Sequence, residues 1–302
     1  MVGTRRRATG PRPMISRGIW LTVVASVLFG VNGSVAADLL ESLPAGNTAQ
    51  IRSVLAALVL GALAYRRKAT RHGGRLLGLA GLGVVLATVT VSFFIAIDRL
   101  GVGPGVTIQF TGPILVLAWL RFVRGQDVPG SAWAAALVAL IGVALVSRVW
   151  DAGALDPTGL AAAAVASIMF AAYLLGSGYL GRFLPTLSVA AYGFAFSALC
   201  LLVVFPVRLP PTDTRVLLEL GWLVILGTVV PFLLEVGALR LTDAGTVGVV
   251  ATLEPVVAAA TAWIWLGQQL TFWQVVGGVI VVMAIAVVQY FTGGEGEPTP
   301  IA

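Results

Sequence analysis

Glu254 is the residue whose position most directly suggests chemistry, because it stands about ten residues into a long apolar run. A run of that length is typical of a membrane-spanning helix. A charged carboxylate at the centre of such a helix costs roughly 2.5–3.5 kcal/mol on insertion scales, so it is usually turned toward a cavity or a partner. Pro255 follows directly and removes one helical hydrogen bond, which leaves backbone polar groups to face a cavity. We predict that Glu254 takes up and releases a proton as part of its function. The structural alternative is that Glu254 stays protonated and forms a hydrogen bond to a neighbouring helix.

Two further polar residues lie inside apolar runs. Gln109 precedes Pro113 by four residues, so the first half of the chain also has a polar residue before a proline within an apolar run, as Glu254 precedes Pro255 in the second half. It is predicted either to contact substrate or to form an interhelical hydrogen bond, which is worth about 0.6 kcal/mol on average. Arg52 lies roughly one and a half turns from the outer end of its run. Because arginine stays charged, it either binds a substrate carboxylate or acts as a structural tether that reaches toward the membrane surface.

Three more residues complete the candidate site. Asn32 stands in Phe29-Gly-Val-Asn-Gly33, a sequence typical of close packing or of a cavity wall. Glu235 lies near the inner end of its run and is predicted to be a gate or a proton site, or else half of a surface ion pair with Arg240. Tyr173 is predicted to line the substrate path or to pack against lipid and other side chains. The predicted helix breaks are Pro113, Pro231 and Pro255.

The remaining residue types argue against several kinds of site. Cys200 is the only cysteine and His72 the only histidine, so no internal disulfide can form and the usual zinc and haem ligand sets cannot be assembled. No HExxH motif, clustered Asp pair or Ser close to a histidine is present, which argues against a membrane-embedded enzyme. A channel would more often carry a filter sequence or repeated polar rings. We expect no metal, no cofactor and no catalytic residue.

The elements that hold these residues are apolar runs. Of 302 residues, 58% are hydrophobic and 11% charged, whereas soluble domains carry roughly 25% charged residues. Each run approaches the roughly 20 residues that a spanning helix needs. The ten runs are 17–38, 46–65, 76–97, 101–120, 131–149, 157–179, 186–206, 216–238, 244–266 and 272–291. No intervening segment could hold a soluble domain, so we predict an all-α integral membrane fold of ten transmembrane helices.

The two halves of the chain repeat each other. Pro44 and Pro185 are 141 residues apart, and Pro113 and Pro255 are 142 apart. Ser34-Val-Ala36-Ala37 could end a cleaved signal peptide, but the repeat makes the first run the structural counterpart of the sixth. Because five is odd, the second unit must enter the membrane inverted, a design common among secondary transporters. The predicted units are a disordered basic N-terminus at 1–16, two five-helix repeats at 17–149 and 157–291, and a disordered tail at 293–302.

Basic residues predict the orientation, because they concentrate on the cytoplasmic side of membrane proteins. If the N-terminus is cytoplasmic, fourteen of the nineteen Lys and Arg residues fall on the inner side. We therefore expect a multi-pass protein of the inner membrane with both termini in the cytoplasm. Basic clusters beside membrane spans fit contacts with anionic lipid rather than with nucleic acid.

Three stretches resemble a known family. They are Val230-Pro-Phe-Leu-Leu-Glu-Val-Gly-Ala-Leu-Arg240 followed by Thr252-Leu-Glu-Pro255, Leu266-Gly-Gln-Gln-Leu-Thr-Phe-Trp-Gln-Val-Val-Gly-Gly278, and Ile108-Gln-Phe-Thr-Gly-Pro113. The first two resemble the EamA family of the drug/metabolite transporter superfamily, and the third looks most like its threonine/homoserine-exporter branch. The resemblance covers about residues 17–291. It implies ten helices around a central cavity and export of amino acids or similar metabolites, driven by proton exchange.

The sequence departs from the family pattern at two positions. Gln109 stands where that branch often has a glutamate, and Gln268 stands where the family often has the glutamate of Leu-Gly-Glu. The first change removes a group that could titrate, which argues against coupling through two carboxylates at these positions.

We therefore predict a secondary transporter of the inner membrane that exports amino acids or related small polar metabolites. The alternative within the same superfamily is an exporter of drugs, nucleobases or other metabolites. The expected partners are a small-molecule substrate and the lipid bilayer, and a homodimer is compatible with this architecture.

Overall fold

The computed structural model describes residues 16–151, 156–208, 210, 212–267 and 269–292, and every regular element within those ranges is helical. Ten long helices correspond one to one with the apolar runs. They are α1 Arg17–Ser42, α2 Ala45–Arg66, α3 Leu76–Leu100, α4 Val102–Gln109 continued by Gly112–Ala118 and Trp119–Val123, α5 Gly130–Val146, α6 Pro157–Gly181, α7 Thr186–Val204, α8 Thr214–Ala238, α9 Ala244–Ala251 continued by Leu253–Leu266, and α10 Phe272–Thr292. The tail predicted at 293–302 and all but the last residue of the predicted N-terminal segment lie outside the described residues.

The helices have the length and composition of membrane spans. Eight are long and apolar enough to cross a bilayer, and two shorter apolar helices, Arg17–Gly33 and Gly130–Val146, bring the number within the described residues to ten. Large apolar side chains point outward, such as Leu77 and Val203, which are 88% and 87% exposed. A surface of this kind is stable against lipid rather than water. The predicted all-α, ten-helix membrane fold is confirmed.

Short polar side chains fix where several helices begin. The side chains of Ser16, Asp156, Asp213 and Asp243 each accept a backbone N–H from the first turn that follows. This satisfies donors that have no partner within the helix. Capping matters in a membrane protein because a helix start near the bilayer cannot rely on water alone.

Two helices, α4 and α9, are interrupted near their middle. α4 is divided into Val102–Gln109 and Gly112–Ala118, and α9 breaks at Thr252. Pro113 and Pro255 stand just after these breaks, because proline lacks the N–H that would continue the preceding turn. The breaks therefore occupy equivalent places in the two halves.

The third predicted break, at Pro231, takes a different form. α8 passes through a π-helical turn at Ile225–Val229 and continues without a gap into Val230–Ala238. The wider turn accommodates the proline ring, which would clash with a carbonyl oxygen of a regular helix. α8 is thus widened rather than interrupted.

The packing of the helices reflects the repeat. α1 packs mainly on α8 and α9 of the second half, and α6 packs mainly on α3 and α4 of the first. α2 pairs with α7 and α5 with α10 across the same boundary. Replacing each helix of one half by its counterpart in the other, α1 by α6 and so on, leaves this list of contacts unchanged. A pseudo-two-fold axis between inverted repeats requires this correspondence. α1 is accordingly an integral helix of the bundle.

The two ends of the bundle are packed differently. We call the end at which α1 begins the amino end and the opposite end the far end. At the amino end, the second part of α4 packs on the first part of α9, and a Cβ atom at Gly245 would lie 2.7 Å from Leu117 Cδ2. Toward the far end, the first part of α4 packs on α3, α5 and α6, and the second part of α9 packs on α1, α5 and α10. The direct contact between α4 and α9 is thus concentrated at the amino end.

Candidate functional site

Arg52 lies in the interior of α2 and is 9% exposed. Its Nη2 donates to Thr90 Oγ1 of α3 at 2.7 Å. Its Cζ lies 5.9 Å from the ring centroid of Phe94 and 5.8 Å from that of Phe232, within the range of cation–π attraction. The Nε is buried without a hydrogen-bond partner among the described residues. Because a guanidinium has five N–H donors, Arg52 retains donors for a ligand.

Glu235 and Tyr173 form a buried pair between α8 and α6. Glu235 is 4% exposed and Tyr173 is 3% exposed. The Tyr173 hydroxyl donates to Glu235 Oε2 at 2.9 Å. Arg240 is exposed and donates to Thr186 instead, so the ion pair considered for Glu235 and Arg240 is not formed.

Glu254 lies on the first turn after the break in α9. Its side chain is only partly buried and interacts electrostatically with Arg52 and with Glu235. The structure gives it no side-chain hydrogen bond to any described residue, so its carboxylate remains available to a ligand. The backbone beside it is held by α1, where a Cβ atom at Gly30 would lie 2.6 Å from Glu254 O. Only glycine permits this approach of α1 to the break.

Gln109 and Asn32 lie apart from these contacts. Gln109 ends the first part of α4 and is 8% exposed, and Asn32 of α1 is 6% exposed. In each, the side-chain carbonyl oxygen is buried without a partner among the described residues. The Asn32 amide fills the space beside the bare Cα of Gly227, at the π-helical turn of α8. Neither residue forms a hydrogen bond to Arg52, Glu235 or Glu254.

The structure therefore brings four of the predicted site residues together. We call Arg52, Tyr173, Glu235 and Glu254 the polar cluster. The ring of Phe232 adjoins it and makes edge-on contacts with Phe29, Tyr173 and Phe194, at centroid distances of 5.2, 5.5 and 4.9 Å. This ring contacts both Arg52 and Tyr173, so it fixes the spacing of the cluster.

Two residues beside the cluster, Thr90 and Phe232, were not predicted from the sequence. Thr90 lies in the polar segment Thr88-Val-Thr-Val-Ser92 of an apolar run, and Phe232 lies between Pro231 and Glu235. The polar segment around Thr90 and the proline and glutamate near Phe232 were the features of the sequence that could have indicated these two residues. Threonine and phenylalanine are common throughout membrane helices, so their types alone do not indicate a site.

The charges of the polar cluster do not balance when every group is ionised. Arg52 contributes one positive charge, and Glu235 and Glu254 contribute two negative ones. A net charge in a low-dielectric interior is costly, and one proton on the carboxylates would make the cluster neutral. The cluster can therefore hold a proton, and its separated positive and negative groups match the two ends of a dipolar ligand. Within the described ranges, no group of three or more His, Cys, Asp or Glu residues could hold a metal ion.

Two surface grooves lie elsewhere, between α5, α9 and α10. Their volumes are about 340 and 370 Å³, and both are lined by Ala259 and Gln274. Ala259 is five residues from Glu254, which places it on the other side of α9. Neither groove includes a residue of the polar cluster, so the charged groups identify the candidate site better than these concavities do.

Comparisons with known proteins agree with this fold. The sequence profile described as the EamA-like transporter family matches residues 16–148 and 157–290. The threonine/homoserine exporter RhtA of Escherichia coli (strain K12) is 28% identical over 277 residues, which are 90% of this chain and 89% of that protein. RhtA of Salmonella typhimurium (strain SL1344) is 26% identical over 277 residues, with the same coverage.

A solved structure, described only as the crystal structure of a protein, has the same fold. It superposes with a TM-score of 0.76 at 18% identity, over 91% of this chain and 96% of that chain. Both halves of the sequence match one transporter profile, and the ten helices adopt a fold found among solved structures. This chain belongs to the EamA-like transporter family and is a multi-pass membrane protein.

Proposed function

We propose that this protein is a secondary transporter of the inner membrane that exports small polar amino acids in exchange for protons. The observation that carries the proposal is the electrostatic pairing of Arg52 with Glu254 at membrane depth. Arg52 is buried and retains N–H donors, and the Glu254 carboxylate has no hydrogen-bond partner among the described residues. In this proposal the amino end faces the cytoplasm, as the arginine distribution predicts.

The polar cluster matches the charges of an amino-acid zwitterion. Arg52 would bind the substrate carboxylate through its remaining N–H donors, with Thr90 fixing the guanidinium. Glu254 would accept the substrate ammonium group. The relatives in Escherichia coli and Salmonella typhimurium are named as threonine and homoserine exporters, which supports a short polar amino acid as substrate.

Proton exchange follows from competition at Glu254. An ionised Glu254 attracts the ammonium group, and a protonated Glu254 does not. Protonation therefore weakens substrate binding, and substrate must weaken proton binding by the same factor. In this proposal the contact of α4 with α9 closes the amino end. If each repeat adopted the conformation that the other has now, this contact would open and the equivalent contact at the far end would close.

Purified protein in lipid vesicles provides the test. Vesicles with an acidic lumen should accumulate labelled L-threonine, and collapsing the pH gradient should abolish the accumulation. A panel of labelled amino acids tested for efflux from an overexpressing strain would define the range of substrates. If no amino acid is transported under a pH gradient, the proposal is wrong.

A second candidate, export of flat aromatic compounds such as nucleobases or drugs, is favoured by one observation. Four phenylalanine rings, Phe29, Phe94, Phe194 and Phe232, lie in or beside the contact shell of Arg52. Rings of this kind can stack on an aromatic ligand. In the same vesicles, inhibition of L-threonine uptake by adenine or uracil, together with their own gradient-driven uptake, would favour this candidate.

A further inference from the structure

Glu235 has no part in the exchange proposed above, yet it is buried at 4% exposure inside the polar cluster. A carboxylate at a helix end usually reaches water or a basic partner. Here the nearby Arg240 is exposed and bonds to Thr186, and the hydrogen-bond partner of Glu235 is the phenol of Tyr173. This arrangement requires an explanation, because a purely structural role could be filled by an apolar side chain at lower cost.

Four polar residues of this region can be ordered by their distance from the amino end of the bundle. At about 1.5 Å of rise per residue, Glu254 lies about 15 Å from the amino end of α9. Tyr173 and Ser177 lie about 12 and 6 Å from the end of α6, and Glu235 about 4.5 Å from the end of α8. Tyr173, Ser177 and Glu235 therefore lie between Glu254 and the amino end.

Ser177 continues this order by one helical turn. It is fully buried, at 0% exposure, and its Oγ interacts with the Tyr173 hydroxyl, although it meets strict hydrogen-bond geometry with no described residue. Residues four apart share one face of a helix, so Ser177 follows Tyr173 toward the amino end. Ser177 therefore places a second buried hydroxyl beside that of Tyr173, one turn closer to the amino end.

The amino end is closed around these groups. A Cβ atom at Gly181 would lie 2.9 Å from Arg240 Cγ, and one at Gly178 would lie 3.9 Å from Leu239 O. These contacts leave no room for an amino acid between α6 and the end of α8. Protons can nevertheless move along hydroxyl and carboxyl groups where a substrate cannot pass.

We infer that Glu235, Tyr173 and Ser177 form a proton-transfer path between Glu254 and the amino end of the bundle. The inference rests on the proposed function and adds a route for the proton that is separate from the route of the substrate. In one transfer, the O–H bond of Tyr173 breaks as an O–H bond forms at Glu235 Oε2. The phenol oxygen then regains the proton that leaves Glu254, which shares the cluster with Glu235, so no charge stays on the phenol. Glu235 releases its proton toward the amino end and is ionised again for the next transfer.

The charged and titratable groups around Glu235 are few. Of the helices that pack on the end of α8, α6 contributes Tyr173, and the partly exposed Tyr192 of α7 bonds to Thr70 at the amino end. α1 has no charged residue between Gly18 and Ala37. Arg52 of α2 and Glu254 of α9 are the charges of the cluster itself. Protonation of Glu235 is therefore governed by the cluster.

The test compares two tyrosines. Tyr173→Phe removes the hydroxyl and keeps the ring that packs on Phe232, and Tyr192→Phe removes a hydroxyl that bonds only to Thr70 O at the amino end. Vesicles report two rates: L-threonine uptake driven by an acidic lumen, and L-threonine exchange at equal concentrations and equal pH. We expect Tyr173→Phe to slow gradient-driven uptake by roughly tenfold or more, the scale of a lost proton-transfer group. Exchange should stay within about twofold, because it needs no net proton movement, and Tyr192→Phe should change neither rate.

Each outcome decides the inference. If Tyr173→Phe leaves gradient-driven uptake unchanged, or if both rates fall together, the path does not run through Tyr173. If this variant is less thermally stable than the wild type, Ser177→Ala takes its place, with the same two rates and the same expectation. A wild-type protein without gradient-driven uptake would instead refute the proposed function, whatever the variants do.

Discussion

Arg52 is surrounded by more aromatic carbon than hydrogen-bond acceptors. Its one hydrogen bond goes to Thr90, and two phenylalanine rings take the place of a carboxylate partner. Rings stabilise a cation without consuming its N–H donors, which leaves the planar fork free to bind a substrate carboxylate. The guanidinium is thus held in place by one hydroxyl and two rings, with Glu254 close enough to interact with it electrostatically.

The first prediction concerns the planar geometry of the Arg52 guanidinium. Arg52→Lys keeps the positive charge and loses the planar donor fork. A hydrogen bond to a charged group is worth about 1.5–3 kcal/mol, so L-threonine transport should fall roughly tenfold to a hundredfold. Transport in vesicles and protein yield would be measured together, with Arg121→Lys at the exposed amino end as the control. Degradation of the Arg52 variant would show that this residue is a structural tether.

The second prediction concerns Glu254. Glu254→Gln keeps the shape and a neutral hydrogen-bonding group but cannot cycle a proton. Uptake driven by an acidic lumen should be lost. Exchange of L-threonine should persist at saturating L-threonine but require a higher concentration than in the wild type, because a neutral glutamine attracts the ammonium group more weakly. Glu219→Gln, at a surface ion pair with Arg215, is the control and should retain both activities. If gradient-driven uptake survives in the Glu254 variant, Glu254 is structural and Glu235 becomes the coupling candidate.

At the scale of elements, α5 and α10 meet along a seam of glycine. A Cβ atom at Gly277 would lie 2.6 Å from Gly142 O, and one at Gly142 would lie 2.9 Å from Gly277 O. The two backbones are therefore in contact, as is common where small residues let membrane helices approach closely. These two helices occupy equivalent positions in the two repeats, so the seam joins the halves.

The third prediction tests this seam. Gly277→Ala forces a methyl group against the backbone of α5 and should destabilise the protein by about 1–3 kcal/mol. Gly61→Ala on α2, where a Cβ atom meets nothing within 4 Å, is the matched control. It should be neutral or stabilising by up to about 1 kcal/mol, because alanine favours helix over glycine. Thermal unfolding in detergent would measure both, and equal midpoints for the two variants would contradict the prediction.

In the molecule as a whole, the two interrupted helices meet at the amino end. α4 and α9 touch at the amino end, while their other parts pack on different neighbours. A transporter must break such a contact once in every cycle, because the binding site has to open to each side in turn. Leu117 and Gly245 lie at this contact.

The fourth prediction uses that contact. Cys200 is the only cysteine, so Cys200→Ala gives a background free of thiols. In that background, Leu117→Cys with Gly245→Cys should form a disulfide on oxidation and stop L-threonine transport, and a reductant should restore transport. The two single cysteine variants serve as controls. Full transport by the cross-linked protein would show that this contact does not open.

The fifth prediction concerns topology. The repeat and the arginine distribution predict that both termini lie in the cytoplasm. Reporter fusions at Thr9 and Gly294 should therefore both report the cytoplasm. Opposite sides for the two fusions would require an odd number of spans, which an inverted pair of five-helix repeats cannot have.

The ten-helix architecture could be predicted from the sequence alone. Hydrophobic runs of membrane length specify helices because lipid leaves the backbone no other way to satisfy its hydrogen bonds, apart from closed barrels. The fixed offset from Pro113 to Pro255 located both helix breaks, because a missing N–H acts locally in any fold. Such local effects depend on the sequence of one segment and not on the helices that pack against it.

Only the tertiary structure decided which polar residues meet. Arg52, Tyr173, Glu235 and Glu254 come from four helices far apart in sequence, and their contacts depend on how α1 and α6 cross between the halves. It also showed Glu235 bonded to Tyr173 rather than to Arg240, and it left Gln109 and Asn32 outside the cluster. Helical periodicity gives the face on which a residue lies, but the helix that covers that face is set by packing of the whole bundle.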